Sequence, residues 1–506
     1  MGLAVPVLCA LLFMTALPSA ANYAYDGFEI KNMVNGTVQG DVFASYGSNG
    51  GLASSPYTTS YNVPAGTVKW ARLYVGVWGG TETKTGWVNT TLNGNSLGNV
   101  TLGGTGDSNP TYSSGTNAYS SGNGVWMVSY NCTDNVTSGS NSATATTGGT
   151  IDGRVYGIAL VVVYENTSLP KVQYWVNEGN PNLNYVRPLN NDVSWFNGTA
   201  YNSTEANLTA LYYTGTNGEH DYLYLNAPKA SDSPYNLSNI GWNIPNYRRY
   251  QLDSNDVANA SEGAYFDFDS FTSSNDSTAL KDIINTTAAN SNYAIFWRGH
   301  DDDGNGQIDS TWNASGVEGE AYVHPILAVL KLTNITHVYD FSTGAGTNKW
   351  AYKYQVGSNP GAGDPNIEFN STEYNNIKTD DNVYASNKTT TDGYYAAHRF
   401  NFSIAEASPT KINVTWMGSG YRGAVGGTDD GATLYIWNFT SAAYELLQSS
   451  GNTYAEVTLT GEKTSSISSY INAGNATVLV KQQYSQSARD GASRIETDYV
   501  KLVVTP

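Results

Sequence analysis

The stretch KWARLYVGVWGG, residues 69–80, decides the fold. Ala71, Leu73, Val75 and Val77 fall on one face, and Trp70, Arg72, Tyr74 and Trp78 on the other. Successive side chains of a strand point to opposite faces, so the alternation reads as a β-strand with an aliphatic core face. KINVTWMG (411–418) repeats the pattern, setting Ile412, Val414 and Trp416 against Lys411, Asn413 and Thr415. GIALVVVYEN (157–166) and PILAVLKLTN (325–334) are continuous apolar runs, as expected of strands central to a packed sandwich. Gly, Asn, Ser and Asp clusters separate the runs at hairpin-like spacing. Helix is scarce. The best candidate is SNDSTALKDIIN (274–285), with Ser274 or Asn275 as its cap. The expected fold is all-β, a row of tandem jelly-roll-like sandwiches.

At 506 residues the chain is too long for one hydrophobic core and suits roughly three domains. A pattern-level repeat supports the division. One pass, within 70–166, runs from the alternating strand WARLYVGVWG through NTTLNGNSLG and GVWMVSYNCTDNV to VYGIALVVVYEN. A second, within 205–334, runs from EANLTALYYTG through DYLYLNAP and AYFDFDSF to YVHPILAVLKLTN. In both, a strand carrying Leu-Asn comes second and an apolar strand followed by a sequon closes the pass. The expected domains are a β-sandwich at 22–175, a second at 176–334 and a third at 335–506, each of jelly-roll size.

The strands VKWARLYVGVWGG, GRVYGIALVVVYENTS and EAYVHPILAVLKLTN resemble those of a secreted domain family of unknown function found in cell-envelope proteins of methanogenic archaea. The resemblance covers roughly residues 22–333. It rests on strand sequence and transfers no functional residue. It implies an archaeal cell-surface setting.

Independent features agree with export. Residues 1–21, MGLAVPVLCALLFMTALPSAA, are apolar from Leu3 to Leu17 and end in small residues, the form of a cleaved signal peptide. No later apolar run reaches the length of a membrane span. Cleavage removes Cys9 and leaves Cys132 alone, which excludes an intrachain disulfide and a multi-Cys zinc site. The net charge is −18 with only 13 % charged residues, against about a quarter in ordinary domains. Such a surface repels nucleic acid and attracts divalent cations. Asn-x-Ser/Thr sequons number roughly twenty, from Asn35, Asn89 and Asn99 to Asn413, Asn438 and Asn475. Random placement of the same residues would give about half as many, so a heavily N-glycosylated surface is expected.

One stretch looks built for an ion. In DDDGNGQID (301–309), Asp301, Asp303 and Asn305 take the first, third and fifth positions of a calcium loop. Gly306 allows the sharp bend, Gln307 ligates through its carbonyl, and Asp309 takes the ninth place. The twelfth place departs from the EF-hand pattern, because Trp312 stands where a bidentate Glu belongs; Glu318 or Glu320 would have to supply that carboxylate. The flanks are strand-like, so the expected cofactor is a structural calcium embedded in a β domain.

Signals for catalysis are missing. His220, His300, His324, His337 and His398 form no metal-ligand spacing, and no Gly-x-Ser-x-Gly elbow is present. Glu219, His220 and Asp221 adjoin in sequence, but strand neighbours face opposite ways. In YFDFDSF, Asp267 and Asp269 share one strand face and Phe266 and Phe268 the other. That carboxylate pair suits a cation or a solvated face at least as well as acid/base work. The rival to a structural role is carbohydrate binding, with Trp78, Trp87, Trp416 and Trp437 as stacking platforms. The expectation is therefore a non-enzymatic, glycosylated cell-surface protein with a structural or adhesive role. Its partners would be other envelope proteins or surface glycans, and assembly into an oligomer or lattice is compatible with it.

Overall fold

The computed structural model describes residues 22–47, 52–107, 115–184, 191–218, 221–227, 247–253, 256–262, 265–298, 322–346, 348–406, 409–423, 429–451 and 455–505. The chain divides into two compact units, residues 1–333 and 334–506. Both are built almost wholly of antiparallel strands. No helix among the described residues is long and apolar enough to cross a membrane.

In the first unit eight strands carry the argument. They are β1 (Gly27–Gly47), β2 (Thr67–Trp78), β3 (Val125–Asn131), β4 (Val155–Glu165), β5 (Lys171–Pro181), β6 (Glu205–Tyr213), β7 (Phe266–Phe271) and β8 (Tyr322–Thr333). β1 belongs to two sheets. Its residues 40–47 pair with β4, and its residues 27–39 pair with β5. The change of sheet comes at Gly40, where a Cβ would lie 2.0 Å from the Tyr164 carbonyl oxygen. From this shared strand one sheet runs β4, β2, β3, and the other runs β5, β8, β6, β7.

The two sheets pack face to face. Gly76 on β2 leaves room for the Tyr213 ring of β6, and Gly157 on β4 for the Phe266 ring of β7; a Cβ at either would lie 2.4–2.5 Å from the ring. Both faces of β2 are thereby buried. Ala71, Leu73, Val75 and Val77 look outward onto a further sheet of strands 57–63, 139–149, 86–92 and 95–102, meeting Val88, Leu92, Ala143 and Ala145. Tyr74, with Trp70 and Trp78 beside it, packs inward against β5–β8 residues such as Val176, Tyr213 and Leu327. The far side of the second inner sheet is covered by strands 191–196, 292–297, 222–225 and 251–252. There Trp175 meets Phe196 at 6.2 Å and Tyr212 meets Phe296 at 5.5 Å between ring centroids. The unit is thus four layers, two sandwiches back to back, with strand Lys171–Pro181 running across the 175/176 division expected from sequence.

The repeat has a topological form. The alternating strands β2 and β6 hold equivalent places. Each lies between its closing apolar strand (β4 or β8) and its third strand (β3 or β7), while the Leu-Asn strand goes to the outer layer.

Between the inner sheets lies a polar seam. Arg72 of β2 and Glu178 of β5 are both fully buried and pair at 2.6 Å. Ser129 Oγ lies 2.8 Å from Arg72 Nη2 and donates to Glu178 Oε1 at 2.9 Å, while Asn117 donates to the same oxygen at 2.6 Å. Farther along, His324 Nδ1 contacts Asn180 Oδ1 at 3.0 Å and Ser121 Oγ at 3.2 Å.

The second unit is a sandwich of its own. One sheet contains strands 337–340, 493–505, 411–422 and 457–463; the other contains 349–356, 395–403, 475–482, 432–438 and 443–450. Phe400, Phe402, Ile412, Val414, Trp416, Leu434, Val478 and Leu502 fill its core.

One local expectation is corrected. Residues 274–285 hold only the 3-10 turn Leu280–Asp282, not an α-helix. Ser274 Oγ bonds Asp276, its N–H bonds the Thr278 carbonyl, and Ser277 sits at φ +67°, so the segment closes as a tight loop. Among the described residues an α-helix forms at Ser371–Asn375, starting at a capping box of Asn370 and Glu373.

Candidate functional site

The most distinctive chemistry among the described residues lies at the edge of the second inner sheet. Among the described residues β7 is the last strand there and pairs with β6 alone. Phe266 turns toward the facing inner sheet, so Asp267 and Asp269 take the opposite face. Asp267 stands directly across from Tyr212, and Asp269 across from Ala210. Glu262, in the turn before β7, folds back over them. The Phe268 N–H donates to Glu262 Oε2 at 2.9 Å, and Ser261 Oγ, with one proton to give, lies 2.8 Å from the same oxygen and 3.1 Å from Asp267 Oδ1.

One carboxylate oxygen from each of Glu262, Asp267 and Asp269 lies within 4.8 Å of the other two. Asp267 is only 1 % exposed, and among the described residues neither its Oδ2 nor that of Asp269 has a hydrogen-bond partner. Burial first, then the carboxyls of Glu262 and Asp269, pushes Asp267 up to about 9. Burial and Glu262 push Asp269 to about 6. The Tyr212 hydroxyl is buried and also without a partner. Burial, then the charges of Asp221, Asp269, Asp267 and Asp253, holds its ionisation far above the ordinary phenol range. Chemically this arrangement can share a proton or hold a hard cation.

The second unit has a looser counterpart in Asp380, Glu456 and Asp498, again within 4.8 Å of one another. Its buried member, Asp498, accepts the Asp381 and Asn382 N–H groups, and Asp380 is exposed.

Asp301, Asp303, Asn305, Gln307 and Asp309 lie outside the described residues, as do Glu318, Glu320, Glu219, His220 and His300. Asp267 and Asp269 do share a face, as their spacing implied. Glu262 and Tyr212 were not foreseen; the one comes from a turn and the other from a strand more than fifty positions away, and only the β6–β7 register joins them. Cys132 is buried, which pushes its thiol up to about 12 and makes it a poor nucleophile. His324 and His398 are buried, and burial lowers both to about 3. Of the tryptophans named as sugar platforms, Trp416 is in the core, with its Nε1–H donating to Thr497 Oγ1. Trp78 is half-buried against Tyr156, and Trp87 is 36 % exposed. Trp437 lines a groove of about 420 Å³ with Tyr435, Tyr444 and Lys481, whose ammonium lies 4.0 Å from the Tyr395 ring centroid.

The sequons divide the asparagines by burial. The buried ones, Asn22, Asn117, Asn141, Asn177, Asn180, Asn182, Asn184 and Asn292, all lie outside sequons. Every sequon asparagine among the described residues is exposed or half-buried; Asn236 and Asn313 lie outside them.

Among solved structures the chain is similar to PNGase F, a glycosylasparaginase from Flavobacterium meningosepticum, at 11 % identity, with 58 % of this chain and 96 % of that one covered and a TM-score of 0.19. It is also similar to the tandem CBM22 domains of Paenibacillus barcinonensis Xyn10C, at 10 % identity, 66 % and 87 % coverage and a TM-score of 0.19. Likenesses at that score carry no functional weight. No curated protein matches the sequence. Residues 346–506 match the model of an uncharacterized protein's C-terminal domain. Residues 23–333, well over half the chain, match the model described as protein of unknown function (DUF3344), and the chain belongs to that family.

Proposed function

We propose that this is an exported, N-glycosylated protein of an archaeal cell surface, with a structural or adhesive role in the envelope and no catalytic activity. The observation that carries the reading is the division of the asparagines. A glycan needs an acceptor that solvent can reach, and the sequon asparagines meet that condition while the buried asparagines are those without a sequon. Chance sequons in an Asn-rich chain would also fall among the buried positions. The apolar, small-residue-ended stretch 1–21 supports export, and the strand resemblance supports the archaeal setting. The loop Asp301, Asp303, Asn305, Gln307, Asp309 belongs to the same reading as a structural calcium loop. Intact mass and glycopeptide mapping of the native protein test the proposal. Glycans on several of Asn35, Asn99, Asn370 and Asn475 are expected; a native chain that keeps residues 1–21 with every sequon bare sinks it.

The second reading, carbohydrate binding, is favoured by the groove at Trp437, where aromatic rings and an ammonium group line one depression. Binding of the whole chain to immobilised glycans, lost in Trp437→Ala, supports it; retention of that binding in the variant removes the groove from consideration.

A further inference from the structure

We infer that Glu262, Asp267 and Asp269 form a divalent-cation site of the calcium class at the edge of the second inner sheet, with the Tyr212 hydroxyl as a neutral neighbour. The cluster includes none of residues 301–309, and the inference does not rest on the surface-protein reading.

The donor set comes first. Three carboxylates from one strand and the turn before it bring an oxygen each within 4.8 Å of the others. All are hard oxygen donors, with no imidazole or thiolate among them, which selects calcium or magnesium over zinc or copper. Three carboxylates that can each bind through one or two oxygens suit the larger, irregular shell of calcium, completed by water. Glu262 and Asp269 are only half-buried, so an ion can reach the site from the sheet edge.

An acidic cluster alone is no site, because exposed carboxylates gather without ions. Here a second observation points to a ligand. Tyr212 is a different kind of group on a different strand, 2 % exposed, and its hydroxyl has no partner among the described residues. It lies across the ladder from Asp267 and feels the charge of Asp221 first, then those of Asp269 and Asp267. Buried hydroxyls in folded proteins nearly always have a hydrogen-bond partner. Asp267 Oδ2, sealed from solvent, and Asp269 Oδ2 lack partners as well. A shared proton satisfies one carboxylate pair; a cation answers every one of these oxygens.

The test is calorimetric titration of the full chain with calcium chloride after chelator treatment, on wild type and on three variants. Asp267→Asn with Asp269→Asn keeps the shape of the cluster and removes two charges. It should lose one equivalent of bound calcium, while Asp301→Ala with Asp303→Ala keeps that equivalent. Glu262→Gln, altered in a turn and not in a ladder, should weaken this equivalent by about tenfold or more. Absence of binding by wild type at millimolar calcium overturns the proposal, and the cluster is then a proton-sharing group. Unchanged stoichiometry and affinity in the Asp267/Asp269 variant also overturn it. Should that variant fail to fold by circular dichroism, Glu262→Gln decides: weakened binding supports the site, and wild-type affinity overturns it.

Discussion

Two clusters on the same sheet, each around one buried carboxylate, treat it in opposite ways. Glu178, on β5, faces a guanidinium, a serine hydroxyl and an asparagine amide, all supplied by the facing sheet. Asp267, on β7, faces Glu262, Asp269 and a phenol, and one of its oxygens is left without a donor. A buried charge is costly unless paired, so the first cluster is complete as it folds and the second is not. The seam at Glu178 fixes how two sandwiches meet. The cluster at Asp267 lies at a sheet edge that an ion can reach. A fully partnered buried carboxylate marks architecture; one left short of donors marks a place where something else binds.

The comparison breaks most visibly at the seam. Arg72→Met leaves Glu178 buried and uncompensated, and should destabilise the first unit by about 3–5 kcal/mol. Adding Glu178→Leu removes the orphaned charge and should recover most of that loss, since apolar pairs of similar volume replace buried ion pairs at little cost. Denaturant unfolding of the single and double variants measures both. A single variant within about 1 kcal/mol of wild type would mean that the pair does not hold the sandwiches together.

At the other cluster the expected effect is smaller and depends on the medium. At calcium about a hundred times the dissociation constant, an ion bound only by the folded state adds about 2.7 kcal/mol. Asp267→Asn with Asp269→Asn should lose that increment and, in chelator, melt at or above the wild-type temperature because repulsion is relieved. Melts of wild type and variant, each with calcium and with chelator, give the four numbers needed. A variant that melts well below wild type in chelator would show the carboxylates to be structural, as Glu178 is.

The strands were legible and their partners were not. KWARLYVGVWGG announces a strand and its aliphatic face, because alternation follows from backbone geometry alone. That Arg72 and Tyr74 are buried too, with Trp70 half-buried beside them, follows from a facing sheet more than a hundred residues away, and the one local hint is Gly76, where an aromatic ring settles. Asp267 and Asp269 could be placed on one face from their spacing. Glu262 could not, since a turn of unknown path brings it back, and Tyr212 needs the register of β6 on β7. The helix expected at 274–285 failed because Ser274 and Asp276 hydrogen-bond locally and close a turn.

The seam should also titrate with the opposite sign to a third buried group, Asp192. His324, in the seam, is lowered to about 3 by burial, against about 6.5 in the unfolded chain. Its contribution is present above about pH 6.5 and is lost as the pH falls toward 3, because the unfolded state takes the proton first. Asp192, on the outer strand 191–196 beside β1, is raised to about 7 by burial, against about 3.9 unfolded. Here the folded state holds the proton, so its contribution is present below about pH 4 and is lost as the pH rises through 7. Asp192→Asn should reduce the decline toward neutral pH, to which Asp267 and Asp269 also contribute, and His324→Gln the decline toward acid, to which His398 also contributes. Stability measured in chelator from pH 4 to 8 separates them; parallel profiles for wild type and both variants would contradict these assignments.

The smallest effect makes the sharpest comparison, because it removes one buried hydroxyl from each cluster. Ser129 Oγ bonds both Arg72 and Glu178, so Ser129→Ala leaves charged groups short of a partner and should cost about 1–3 kcal/mol. Tyr212→Phe takes away a hydroxyl that bonds nothing and keeps the ring that meets Phe296. In chelator its cost should be near zero, or negative by a few tenths of a kcal/mol, since an unmade buried hydrogen bond is relieved. With calcium present the sign should reverse slightly: if the hydroxyl turns toward the bound ion or its water, Phe weakens binding and shrinks the calcium-dependent rise in melting temperature. Differential scanning calorimetry of the two variants, with calcium and with chelator, reads all of these terms. A Tyr212→Phe cost as large as that of Ser129→Ala in chelator would mean the hydroxyl already has a partner in the folded protein, and the two clusters would then no longer differ in kind.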